Sequence, residues 1–199
     1  MKKVYLIMII NISNGKVNYS QRNNLIKPLE SCNVTSMAMA LSYLGYAFPK
    51  GRYDQPEDNL RDYIESKGMN PTVHAELSKG TNEWMGRKVT DFRVDIPIPT
   101  IIENIKMGKP VVLSGTFPGY PTKKASPLGH IVTLVGFEWA GDKPEGKPIA
   151  AIVDDPYGNT MNNWQGSGND IKISWELFVE WMKPCGNDMV KWGHLFYTK

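Results

Sequence analysis

Cys32 stands at the first turn of Ser31–Gly45, where Val34, Met37, Ala38, Leu41 and Leu44 recur at helical spacing and Gly45 supplies a stop. A thiol there meets unpaired N–H groups and the positive end of the helix dipole, which favour the thiolate. Such a nucleophile needs a base, and the base needs an orienting group. The chain offers His74, His130 and His194. His130 opens an apolar strand, Gly129–Phe137, and the next strand ends in Val153-Asp154-Asp155-Pro156. A hairpin closed symmetrically about residues 139–148 sets Asp155 opposite Val132. Because residues two apart share a face, Asp155 becomes the diagonal neighbour of His130. A one-residue slip brings in Asp154 instead. Acyl transfer also requires donors for the oxyanion. The Cys32 N–H is one by position, and the side-chain amide of Gln21, Asn23 or Asn24 can supply the other. His74 and His194 read as structural. Cys185, between Pro184 and Gly186, has no activating feature and is expected to stay reduced, as is Cys32.

The elements that position these groups follow from pattern and punctuation. Val4–Ile12 reads as a strand turned at Asn14-Gly15, with Lys16–Ser20 returning beside it. Asp54–Lys67 reads as a helix with Asp54 as N-cap and Gly68 after its end. His74–Trp84 is a short helix or irregular segment, weakened by Gly80. Thr100 caps a helix that ends at Gly108, and Pro110–Ser114 is a strand. Phe117–Leu128 and the Asn/Gly-rich Gly158–Asp170 are loops, while His130–Glu138 and Ile149–Asp154 are strands. Ser174 caps a helix over Trp175–Met182, and Met189–Tyr197 closes the chain as a strand. Helices come first and a mainly antiparallel sheet follows, which defines an α+β class. With no internal repeat, low-complexity tract or linker, residues 1–199 are expected to form a single domain.

Composition narrows the function classes. The chain has 199 residues, 41% hydrophobic and 22% charged, as in ordinary globular proteins. A net charge of +3 without a long basic cluster argues against nucleic-acid binding and suits a weakly anionic target such as a bacterial cell wall. Lys2-Lys3 and Val4–Ile10 resemble a signal peptide but lack a cleavage site, and the run is too short to span a membrane. The expectation is cytoplasmic synthesis, no membrane insertion, and release by other means to act on the wall. Two cysteines and scattered histidines are too few for a zinc site. Asp154, Asp155, Asn159 and Asp170 match no EF-hand spacing, so no metal and no cofactor is expected.

Taken together, Gln21-Arg22-Asn23-Asn24, Cys32-Asn33-Val34-Thr35-Ser36-Met37-Ala38, Gly108-Lys109-Pro110-Val111-Val112, Gly129-His130-Ile131-Val132 and Asp155-Pro156 resemble the C39-like cysteine peptidases, relatives of the papain fold. The Ser174–Trp181 segment before the last strand also fits, so the resemblance spans most of the chain. It implies a papain-like α+β fold with a thiol nucleophile at Cys32, a base at His130, an orienting carboxylate at Asp155 and an oxyanion amide from Gln21. Asp155 is preferred because the family's acid directly precedes proline. The chain departs from the family in carrying Asn33-Val34 where Gly-Pro is common, and in a long Gln21–Cys32 interval. The expected function is a cysteine endopeptidase acting on the peptides of peptidoglycan, as a phage endolysin or bacterial wall lysin does. A peptidase for a glycine-containing leader peptide or protein and a non-catalytic binding module on the same fold are the alternatives.

Overall fold

The computed structural model describes residues 6–13, 19–117, 129–182 and 189–199. The Asn14-Gly15 turn, most of the Phe117–Leu128 loop and Cys185 lie outside them. In chain order the elements are β1 (Ile7–Asn11), α1 (Cys32–Tyr43), α2 (Pro56–Ser66), α3 (His74–Trp84), β2 (Thr90–Pro97), α4 (Ile98–Lys106), β3 (Val111–Gly115), β4 (His130–Ala140), β5 (Ala150–Asp154), β6 (Ile171–Ser174), α5 (Trp175–Trp181) and β7 (Met189–Phe196). Short 3₁₀ turns occur at Gln21–Asn23, Pro28–Glu30 and Thr160–Asn162.

The strands form one sheet in the order β2-β7-β3-β4-β5-β6, with β1 also paired to β4, and the pairings are antiparallel. β4 is the central strand, buried at every residue but Ala140. Its alternate side chains feed two cores. Val132, Leu134 and Phe137 pack with α4 and α5 through Ile101, Ile105 and Phe178. Ile131, Val112 and Phe196 pack with α1, α2 and α3 through Val34, Leu41, Leu60 and Leu77. Truncating a fully buried leucine here, such as Leu41→Ala, costs about 2–5 kcal/mol.

Helix α1 has no exposed face: Asn33 through Leu41 are all buried. Its polar positions are satisfied in place. Ser36 Oγ donates to the Ile131 carbonyl at 3.1 Å, and Thr133 Oγ1 donates to the Ser36 carbonyl at 3.1 Å. These two bonds fasten the middle of α1 to the start of β4, and so fix the relative position of Cys32 and His130.

Several expectations shift. The first strand covers Ile7–Asn11 and leaves out Leu6, and Tyr19 and Ser20 are not in a strand. Val4, Tyr5 and residues 16–18 lie outside the described residues. Helix α2 begins at Pro56, not Asp54, because proline's fixed φ and missing N–H suit the first helical position. Helix α4 begins at Ile98, with Pro99 in its first turn, so Thr100 lies inside the helix rather than capping it. α3 is a full helix despite Gly80, whose missing Cβ admits α2: a Cβ there would come within 2.6 Å of Ile64 Cγ1. Strands β2 and β6 were not anticipated, and the helices are interleaved with the strands rather than preceding them.

Candidate active site

Cys32 is the first residue of α1 and half-buried. The preceding Ser31 does not cap the helix. Its hydroxyl donates to the Ile26 and Lys27 carbonyls at 3.0 and 2.8 Å. Asn33 Oδ1 takes the Val34 N–H at 2.8 Å. The Cys32 N–H at the helix start therefore meets no side-chain cap and is placed to meet an anion.

His130 follows Gly129, whose φ of +70° is the left-handed conformation that glycine adopts without steric cost. Its Nε2 lies 2.7 Å from Asp155 Oδ1. Its imidazole is also hydrogen-bonded to the Cys32 thiol, which leaves Nδ1 as the nitrogen facing sulfur. Asp155 Oδ1 also accepts the Tyr157 N–H at 2.8 Å, and the Asp155 N–H donates to the Gly168 carbonyl at 2.9 Å. Phe117 sits edge-on to the His130 ring at 6.1 Å and shields it from water.

Which aspartate meets the histidine depends on a β-bulge. Near the turn Gly136 pairs with Ile152, but past Val135 the register moves by one, to Leu134 with Val153 and Thr133 with Asp154. Carried on, this second register sets Asp155 opposite Val132, as the unbulged hairpin also does. The two differ at the turn, where Glu138 pairs with Ala150. Val135 is the extra residue, and Gly136 beside it allows β1 to approach: a Cβ on Gly136 would collide with the Ile10 carbonyl. Asp154 is turned elsewhere. It accepts from Tyr43 Oη at 2.5 Å and from the Asp170 N–H at 2.7 Å.

Burial disfavours the Cys32 thiolate, but the bond to His130, its positive charge and the Ile131 N–H outweigh burial and hold the thiol below its usual range. Burial likewise disfavours the His130 imidazolium, yet Asp155, with a contribution from Cys32, lifts it to about 10. Together the two shifts favour a thiolate beside an imidazolium over the neutral pair.

Gln21 is buried and borders a cavity of about 180 Å³ together with Cys32, His130, Tyr157 and Trp164. One hydrogen of its amide goes to the Pro28 carbonyl at 2.7 Å. The other is available, since an amide nitrogen carries two. Its backbone N–H donates to the Pro156 carbonyl at 2.9 Å, tying this segment to the residue after Asp155. Asp58 accepts the Leu25 and Ile26 N–H groups at 2.9 and 3.1 Å and so anchors the stretch between Gln21 and Cys32 on α2. The other two amides lie apart: Asn24 is hydrogen-bonded to Thr35, and Asn23 is exposed.

Two cavity residues had no role assigned from the sequence. Tyr157 and Trp164 wall the cavity just described. Arg22 binds both, lying 4.3 Å from the Tyr157 ring centroid and donating to the Trp164 carbonyl at 2.9 Å. Asn163 and Trp164 are both left-handed, at φ 48° and 57°, a strain of the kind retained at working sites. On the other side of Cys32, a second cavity of about 260 Å³ is bordered by Asn33, Thr72, His130 and His74. His74 is thus a cleft residue as well as a packing one. Its position in a weakly amphipathic segment carried no signal. No group of three or more His, Cys, Asp or Glu side chains among the described residues could hold a metal ion.

A helix bearing a cysteine at its start, packed on an antiparallel sheet that supplies a histidine and an aspartate, defines the papain-like α+β class. Within that class, the chain belongs to the Peptidase_C39 like family, whose model matches residues 15–180. It is similar to the crystal structure of a candidate C39-like peptidase from Bacillus anthracis, with a TM-score of 0.60 and 18% identity over 96% of this chain and 98% of that one. A weaker likeness, TM-score 0.44 and 12% identity, covers 96% of this chain and 36% of UfSP from C. elegans, and bears no weight. No curated protein matches. The family supports a cysteine peptidase type of function, with a peptide as substrate, and the structural neighbour supports the fold. No helix among the described residues is long and apolar enough to cross a membrane.

Proposed function

We propose that the chain is a cysteine endopeptidase that works through Cys32, His130 and Asp155 and cuts peptide bonds in peptidoglycan. The observation that carries the reading is the hydrogen-bonded series from the Cys32 thiol through His130 to Asp155, set between two cavities at an uncapped helix start. The Cys32 thiolate adds to the substrate carbonyl, and the oxyanion is met by the Cys32 N–H and the second N–H of Gln21 Nε2. His130 then delivers the proton it took from the thiol to the departing amine, and the C–N bond breaks to leave a thioester. Water enters, gives a proton to His130 and attacks the thioester. The acid leaves and the thiol is restored by the same proton. Asp155 holds the ring and balances its charge throughout. The peptidoglycan assignment draws on the net charge of +3, which suits an anionic wall.

Purified peptidoglycan incubated with the protein, followed by mass spectrometry of the soluble fragments, tests this. The expected result is new free amines in the stem peptides or cross-bridges, with the mass of one water gained per cut. Intact peptidoglycan beside a cleaved glycine-containing leader peptide would move the assignment to that substrate. If neither is cut, the fold serves as a binding module.

A further inference from the structure

Behind the wall of the 260 Å³ cavity lies a second pair of histidines that the mechanism above does not use. His74 Nδ1 is 3.1 Å from Nε2 of His194, which is wholly buried. The His74 ring lies flat on Phe92, centroids 5.1 Å apart and planes 3° from parallel, and Trp192 closes a further side at 5.7 Å. Burial lowers both imidazoles, and His194 is held at about 3, so the pair is neutral at physiological pH. One proton therefore lies between the two nitrogens, and it can belong to either ring.

The buried ring settles the choice. His194 Nδ1 is buried with no hydrogen-bond partner among the described residues. If His74 donated, His194 would carry its own proton on Nδ1, an orphaned buried N–H. If His194 donates from Nε2, its Nδ1 is a bare lone pair. Orphaned buried donors are rarer in folded proteins than under-satisfied acceptors. The second arrangement leaves His74 accepting at Nδ1 and therefore protonated at Nε2. Since Nδ1 is committed inward, His74 borders the cavity, and Nε2 is not among the buried unpartnered atoms, the Nε2–H is the polar group left to face the cleft.

We infer that His74 is a substrate-binding residue on one side of Cys32, donating its Nε2–H to a neutral carbonyl oxygen of the bound peptide, with His194 as the positioning residue that fixes its tautomer. The carbonyl is preferred to a carboxylate for two reasons. The pair carries no charge to attract an anion, and Glu30, an exposed acid bordering the same cavity, repels one. The inference rests on the proposed cleft and adds the group that reads the substrate backbone or a side-chain amide beside the scissile bond.

Nitrogen-15 NMR of histidine-labelled protein tests it, because the Nδ1–H and Nε2–H tautomers have distinct ring-nitrogen shifts. His74 and His194 are both expected as Nε2–H. His194→Gln, which keeps an N–H toward His74, should preserve the His74 tautomer, and His194→Leu should release it. Acetyl-dialanine methylamide, which carries only neutral carbonyls, should shift the His74 Nε2–H signal more than acetate does. Its dissociation constant should rise roughly 2- to 12-fold in His74→Phe, the range for one neutral hydrogen bond. An Nδ1–H tautomer at His74, or no response to the methylamide, overturns the inference, and a larger response to acetate overturns its choice of ligand. A tautomer failure with Cys32 still rapidly alkylated removes this inference alone. A slow, unactivated Cys32 with the tautomers intact removes the peptidase reading alone.

Discussion

Two buried histidines show how a neighbour, more than burial, decides what an imidazole can do. His130 is 9% exposed and His194 is 0% exposed, so water stabilises neither. His130 lies 2.7 Å from a carboxylate and is lifted to about 10, whereas His194 lies 3.1 Å from a second imidazole and falls to about 3. Burial pushes both down. The negative charges of Asp155 and Cys32 reverse the outcome at one site only. The first site therefore keeps a proton on His130 beside a thiol whose ionisation it favours. The second holds a neutral ring in one orientation, with its proton at a fixed atom.

The largest break in this comparison comes from removing the thiolate. Cys32→Ser keeps the shape, but its hydroxyl does not ionise against His130. Peptide hydrolysis should fall to background, by on the order of 10⁶ when judged by loss of the nucleophile in a serine triad. Gln21→Ala leaves the ion pair and removes an oxyanion donor, so turnover should drop by on the order of 10²–10³. Thermal melting should show both variants folded, since each loses few buried apolar atoms. Asp155→Asn makes the first site resemble the second, a buried histidine with a neutral partner. Activity should fall by no more than about 10², the lower end for acid–base assistance, because the amide still holds the ring. The alkaline limb of the kcat/KM profile, near 10 in the parent protein, should move down with it.

How far the sequence foretold this site can be followed residue by residue. The start of α1 was legible because Cys32 and the helical spacing sit in one short segment. The His130–Asp155 pairing was legible from the hairpin, but the reason lay hidden. The turn closes one residue away from the symmetric register, and the Val135 bulge restores it. A bulge has no strong local signature, and Gly136 is its only trace. Asp54 and Thr100 were misread as caps because proline at Pro56 and Pro99 moved the helix starts. The alternation of Phe92, Val94 and Ile96 could have revealed β2, which carries the ring under His74. The contact of His74 with His194 joins residues far apart in the chain, through α3 and β7, and no spacing rule reaches it.

The smallest expected effect sharpens the contrast through stability. His194 has a folded value of about 3, below its unfolded 6.5. Its contribution is present above pH 6.5 and is lost as pH falls toward 3. His130, raised to about 10, does the opposite: its contribution is full below pH 6.5 and is lost as pH rises through 10. Melting temperatures from pH 7 to 4 should therefore fall less steeply in His194→Phe than in the parent. From pH 7 to 10.5 they should fall less steeply in Asp155→Asn.

His130 favours ionisation of the Cys32 thiol. The most direct measurement of this is the rate of iodoacetamide alkylation at Cys32 and Cys185 against pH, read by peptide mass spectrometry. Cys32 should alkylate faster than Cys185 at pH 6.5, with its inflection below the ordinary thiol value of 9.0. Equal rates at pH 6.5, with both cysteines rising together toward that ordinary value, would contradict it.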